Sequence, residues 1–198
     1  MKDNPILDVY SSKKTVFSMN DLILIWKEEN KDLVKLRAHR YLKAGKLKSI
    51  RRGFYVKNDD YDKDELATKI YKPSYISFET VLGRAGVTFQ YYESILVASY
   101  LSREITVNNQ KYIYSKIKDT VLTNSIGIEH NDNYSIATPE RAFLDILYLH
   151  KTYHFDNLSP LNWEKVYEIL PIYNSKKMGR MVRMFHEHFK KENEHSKT

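Results

Sequence analysis

The sequence predicts an α+β fold: an N-terminal winged helix-turn-helix over residues 1–58, then a mixed α/β domain over residues 59–198 with a small, mostly antiparallel sheet and C-terminal helices. Three observations carry this. Residues 37–56, RAHRYLKAGKLKSIRRGFYV, read as a basic helix running directly into a β-hairpin. Beyond Gly86 the apolar period changes from helical to alternating. Thr138-Pro139-Glu140 then opens a run of helices, with a capping hydroxyl, a proline at the first helical position and an acid in the first turn.

Taken in order, residues 6–10 form a short helix after Asn4-Pro5. Val16-Phe17 is a brief apolar run leading to Ser18, an N-cap with Asp21 three residues on, an acidic variant of the capping box. Met19, Leu22, Ile23 and Trp26 then share one face of a second helix over 19–28. A turn at 28–31 leads to a third helix, about 31–44, with Val34, Ala38, Tyr41 and Leu42 on its inner side. Lys35, His39, Arg40 and Lys43 lie on its outer side. Gly45 supplies a left-handed stop. Two strand-like runs, 47–51 and 54–56, are separated by Arg52-Gly53, where glycine permits a tight turn. Helix, helix, helix, hairpin is the winged-helix order. In it the third helix enters a major groove, while Arg51 and Arg52 at the hairpin tip reach phosphates or a minor groove.

Charge is segregated in the same way. Residues 1–57 hold 14 Lys/Arg against 6 Asp/Glu, whereas residues 58–198 hold 18 against 19, so the net +7 of the chain sits in its first part. A concentrated positive field of this kind favours a polyanion, here double-stranded DNA.

The acidic stretch 58–65 reads as a polar, solvated joint. A helix over 66–71 precedes Pro73, and a second, 77–86, places Phe78, Val81, Leu82 and Ala85 on one face. Strands follow at 94–100, 104–107, 111–117 and 134–137, with Asn108-Asn109 as a turn; residues 127–132 fit no element. The helix opened by Thr138 runs to about His150, another covers 163–170, and a last one covers 176–191. That last helix has an apolar stripe of Met178, Met181, Val182, Phe185 and Phe189. Opposite it lies a second basic surface of Lys176, Arg180, Arg183, Lys190 and Lys191. Residues 192–198 read as a frayed tail.

Two stretches together resemble the AbiEi family, the antitoxin and transcriptional-regulator component of type IV abortive-infection toxin–antitoxin systems. Residues 45–56, with Gly45-Lys46-Leu47 and Arg52-Gly53-Phe54-Tyr55, resemble its wing signature. Residues 136–145, with Thr138-Pro139-Glu140-Arg141-Ala142 and Asp145, resemble its second helix start, departing at Phe143, where a smaller aliphatic residue is more usual. The resemblance spans nearly the whole chain, although residues 91–133 match no family stretch. It implies repression of the protein's own operon through inverted-repeat operator DNA, with Lys35, Arg40, Lys43, Arg51 and Arg52 as contacts. It also implies that the C-terminal domain counters a nucleotidyltransferase-like toxin, without requiring a stable complex. The family transfers no catalytic residues, so no enzyme is expected.

Other chemistries fit the residues less well. Glu140, Arg141 and Asp145 cluster at a helix start, but Glu140 complements the helix dipole and Arg141 with Asp145 has ion-pair spacing. His150 with His154 lacks a third ligand, and His186 with His188 point to different sides of a helix. A metal-dependent nuclease needs clustered carboxylates, and Asp62, Asp64 and Glu65 fall in the polar joint. Gly83-Arg84-Ala85-Gly86 lacks the Lys-Ser/Thr of a phosphate loop. No cofactor and no metal are expected. A nuclease and an RNA-binding interaction module remain the alternatives. The absence of cysteine, and of any apolar run long enough to cross a bilayer, points to a cytoplasmic protein without a membrane partner.

Overall fold

Ser18 opens the first long helix as its sequence dictates. Its hydroxyl accepts from the Asp21 amide at 3.2 Å, and Asp21 accepts from the Ser18 amide at 2.9 Å, closing the capping box. The computed structural model describes residues 4–150 and 152–195. In it α1 (Pro5–Ser11) leads to β1 (Val16–Ser18), α2 (Met19–Trp26), α3 (Lys31–Lys43), β2 (Lys48–Arg51) and β3 (Phe54–Val56). The short apolar run at Val16-Phe17 is thus a strand. It pairs antiparallel with β3, and the small sheet has the order β1-β3-β2.

Alternation along these strands decides which core each residue enters. Phe17 packs with Ile6, Val9, Leu22, Trp26, Val34, Ala38 and Leu47 in a small N-terminal core. Its neighbour Val16, with Val56, points the other way into a larger core shared with the rest of the chain. The indole of Trp26 donates to the Pro5 carbonyl at 2.8 Å and ties α1 to α2.

The rest of the chain folds as α4 (Lys63–Ile70), β4 (Ser74–Ile76), α5 (Phe78–Arg84), β5 (Ile95–Ser99), β6 (Arg103–Val107) and β7 (Gln110–Lys116). Then come α6 (Asp119–Leu122), β8 (Ile128–His130), β9 (Ser135–Ala137), α7 (Pro139–Leu149), α8 (Trp163–Ile169), a 3-10 turn (Leu170–Tyr173) and α9 (Lys176–His195). Its sheet has six strands in the order β6-β7-β5-β4-β9-β8. It is larger and more mixed than the sequence predicts, because β5 pairs with β7, and β4 with β9, in parallel. Besides β1 and the 3-10 turn, β4, β8 and α6 escape the sequence reading, each three or four residues long. Periodicity needs a longer run to show itself, and tertiary pairing alone defines strands this short. α7 is the central helix, buried from Glu140 through Leu147. α9 continues to His195, which corrects the expected fray from 192; residues 196–198 lie outside the described residues.

The acidic stretch is not a solvated joint. Asp62 caps α4, accepting from the amides of Asp64 at 2.8 Å and Glu65 at 3.3 Å. Asp64 takes a two-pronged pair from Arg84 at 2.6 and 2.9 Å. Glu65 is fully buried and accepts from the Thr15 amide, the Thr15 hydroxyl and the Val16 amide. Only Asn58, Asp59 and Asp60 of the run are exposed on one continuous stretch. The capping pattern Asp-x-Asp-Glu is what turns an acidic run into a helix start.

Candidate nucleic-acid interface

α3 begins at Asn30, whose side-chain oxygen accepts from the amides of Asp32 at 3.0 Å and Leu33 at 3.4 Å. Val34 and Ala38 bury against α2 and the small sheet, and Tyr41 and Leu42 pack beside them. This fixes the rotation of the helix and leaves Lys35, His39, Arg40 and Lys43 exposed together, with Lys31 and Lys46 at either end. Lys35 pairs with Asp32 at 3.0 Å across one turn, an exposed contact of little energetic weight. Arg37 is turned away: its guanidinium lies 5.3 Å from the Trp26 ring and 3.9 Å from Glu28, so it belongs to the scaffold.

Gly45, at φ +66°, ends α3, and the Lys46 amide returns to the Tyr41 carbonyl at 2.9 Å. Leu47 is then buried and anchors the start of the hairpin. A register shift between Ser49 and Arg51 bends β2, and Gly53 takes φ +83° at the tip. Arg52 projects from that tip into solvent. Arg51 is placed differently: it is half-buried and close enough to Tyr114 of β7 to oppose part of the rise that burial imposes on that phenol. The structure thus gathers Lys35, His39, Arg40 and Lys43 on one helix face and Arg52 on the adjoining turn, while Arg51 is half-buried at the end of β2.

The second basic surface is also an exposed helix face. Met178 and Val182 are buried, Met181, Phe185 and Phe189 pack on the core, and Lys176, Arg180, Arg183, Lys190 and Lys191 face solvent. His186 stacks on Trp163 at 4.3 Å and sits below its ordinary pKa through burial and the nearby Lys190. His188, two residues on, pairs instead with Glu192 at 3.2 Å.

The Glu140, Arg141 and Asp145 cluster is internal. Arg141 and Asp145 are fully buried, with Arg141 Nε donating to Asp145 Oδ1 at 3.3 Å. The rest of the guanidinium donates to the carbonyls of Val121 at 2.7 Å and Ile126 at 2.8 Å and to the Tyr75 hydroxyl at 2.8 Å. Asp145 accepts further from Tyr173 at 2.7 Å, Ser77 at 2.8 Å and Tyr75 at 3.0 Å. Burial, then the Asp145 charge, holds both phenols well above their ordinary pKa, so they remain protonated donors. Glu140 is buried and accepts from the Asn162 amide at 3.0 Å, which joins α7 to α8 in addition to any interaction with the helix dipole. The polar atoms of Arg141 and Asp145 are thus committed to the protein itself.

Among the described residues no group of three or more His, Asp or Glu is placed to hold a metal ion. His150 packs near Tyr153, and His154 lies 3.8 Å from Asp156; Lys151, between them, lies outside the described residues. Among the described residues no helix is long and apolar enough to cross a membrane. Sequence reasoning placed Glu65 in a solvated joint; its burial shows only when Thr15 and Val16 are folded against it. No family model matches the chain, and no curated protein matches it.

Proposed function

We propose that the chain is a DNA-binding transcriptional repressor whose N-terminal part works as a winged helix, α3 lying in a major groove and the β2–β3 turn holding the flanking backbone. The observation that carries this is the shared exposure of Lys35, His39, Arg40 and Lys43 on α3, followed at once by Arg52 on a glycine turn. A helix whose inner face is fixed by Val34 and Ala38 presents those side chains in one rigid array, as phosphate and base-edge contacts require. Arg52 is the wing contact in this reading, and Arg51 contributes chiefly to seating the hairpin.

The resemblance of residues 45–56 and 136–145 to AbiEi extends the reading. The operator is then an inverted repeat upstream of the protein's own operon. The larger unit, with α9 as its basic face, counters a nucleotidyltransferase-like toxin in the cytoplasm. No catalytic role is assigned to it.

The test is binding of the purified full chain to its own upstream DNA and to scrambled DNA of equal length, followed by fluorescence anisotropy at several salt concentrations. A specific preference of about a thousandfold that survives near-physiological salt is expected. Equal affinity for both, falling steeply with salt, overturns the repressor reading and leaves a generic polyanion surface. The antitoxin role is read separately in cells carrying the toxin, where Arg180→Glu with Arg183→Glu is expected to retain repression and lose protection.

A further inference from the structure

Between the start of β4, the end of α6 and the β8–β9 hairpin lies a cleft of about 680 Å³, within the size range of small-molecule sites. Its lining contains Lys72 and His130 and no carboxylate. The other large cleft, about 670 Å³, is bordered by four acids, Asp62, Asp64, Glu79 and Glu93, against two bases, Lys63 and Arg84. The first cleft is therefore the one whose charge suits an anion.

Its polar groups are also available. The side chains of Lys72, Ser125 and Asn131 make no hydrogen bond or ion pair among the described residues. Lys72 offers an ammonium, Ser125 a hydroxyl, and Asn131 a carboxamide that donates and accepts from one planar group. Beside them Leu122 and Ile128 supply an apolar wall. Tyr75 adds to it with its hydroxyl already committed to Arg141 and Asp145. A cationic anchor, an apolar wall and an unpaired donor–acceptor group together suit a flat heterocycle carrying a phosphate.

We infer that this cleft binds a nucleoside monophosphate, the phosphate on Lys72, the base against Leu122 and Ile128, and the base edge read by Asn131 and Ser125. The site is built on a firm base, since the Val121 and Ile126 carbonyls beside it are held by buried Arg141. Its other wall, the β8–β9 hairpin, is tied at its tip to the N-terminal unit: Asn133 donates to the Lys13 carbonyl at 3.1 Å and Asp132 pairs with Lys13 at 2.9 Å.

The test is calorimetric titration of the full chain with AMP, GMP, CMP and UMP in turn, and with inorganic phosphate. At least one nucleotide is expected to bind one to one with a Kd below about 1 mM, and more tightly than phosphate. Lys72→Ala and Asn131→Leu, both at exposed positions whose side chains make no hydrogen bond or ion pair among the described residues, are expected to weaken it at least about tenfold. Lys35→Ala with Arg40→Ala should leave it unchanged. Hydrogen exchange on the wild type should show slowing confined to the segments that line the cleft, residues 68–75 and 122–135, on nucleotide addition. The inference is overturned if none of the four nucleotides binds, if phosphate alone binds as tightly, if the cleft variants bind like wild type, or if the α3 variant loses binding equally.

Discussion

Thr15 gives both its amide and its hydroxyl to one carboxylate oxygen of Glu65, at 2.8 and 2.6 Å, fifty residues away across the junction between the small sheet and α4. The same oxygen takes the Val16 amide at 3.2 Å, and the other lies 2.8 Å from Lys69. Lys69 also donates to the Val16 carbonyl and lies 3.5 Å from Asp21. One buried acid thereby satisfies the backbone that opens β1 and fixes the N-terminal unit on the rest of the molecule.

Removing that acid strands two amides and a lysine that is only 6% exposed. Glu65→Ala is expected to cost about 3–5 kcal/mol, and Glu65→Gln less, because an amide oxygen still accepts. Urea unfolding followed by circular dichroism measures it; a change within about 0.5 kcal/mol would place the junction elsewhere.

The Arg141–Asp145 pair is expected to behave as one unit. Arg141→Met and Asp145→Leu should each cost about 3–5 kcal/mol, since either leaves a buried charge without its partner. The double variant should cost less than their sum by at least about 1 kcal/mol. Additive losses in a double-mutant cycle would show that the two side chains are supported independently.

Acid sensitivity should trace in part to Asp21. Burial alone would raise its pKa, but Lys14, the Ser18 hydroxyl and amide, and Lys69 outweigh it and hold the carboxyl well below the usual range. Its folded pKa is thus lower than its unfolded one. The stability it contributes is complete above the ordinary carboxylate range and lost as pH falls below it. Asp21→Asn is expected to lower the unfolding free energy by about 1–2 kcal/mol at pH 7 and to flatten the acid limb of the stability profile. A variant that loses as much at pH 2 as at pH 7 would contradict this assignment.

Gly127 precedes β8 at φ +74°, and a Cβ there would come 2.8 Å from Ile169 Cδ1 and 3.0 Å from Arg141 Cβ. Gly127→Ala combines backbone strain with a clash against a fully buried side chain, so a loss of about 2–4 kcal/mol is expected. Gly53→Ala, at φ +83° with open space around it, should cost only the strain, about 1–2 kcal/mol. Thermal melts of the two variants give the comparison, and equal losses would refute the packing argument at Gly127.

Within the proposed function, Arg40→Ala should relax operator preference and cost about 1–3 kcal/mol of binding. Arg52→Ala should weaken all DNA similarly and reduce the salt slope by about one. Anisotropy titrations over a salt series distinguish the two patterns, and wild-type binding by both variants would discard the docking geometry.

Much of this protein was legible in local signals. The Ser18–Asp21 capping box, the turn at 28–31, the Gly45 stop, the Arg52-Gly53 hairpin and the Thr138-Pro139 start each act within a few residues, so composition and spacing suffice to place α2, α3, the hairpin and α7. The exposed cations of α3 and α9 followed because an amphipathic stripe determines its own opposite face. What depended on distant partners was decided only in the fold. The local pattern that marks β5, β7 and β9 as strands does not say that β5 pairs with β7, or β4 with β9, in parallel. The acids after residue 60 read as solvated, and only the fold brings Thr15 and Arg84 to them. Sequence spacing determined that Arg141 and Asp145 would pair; tertiary structure decided that they would be sealed from water. That outcome needs Tyr75, Ser77, Tyr173 and two loop carbonyls to converge on them, and no local period encodes such a meeting.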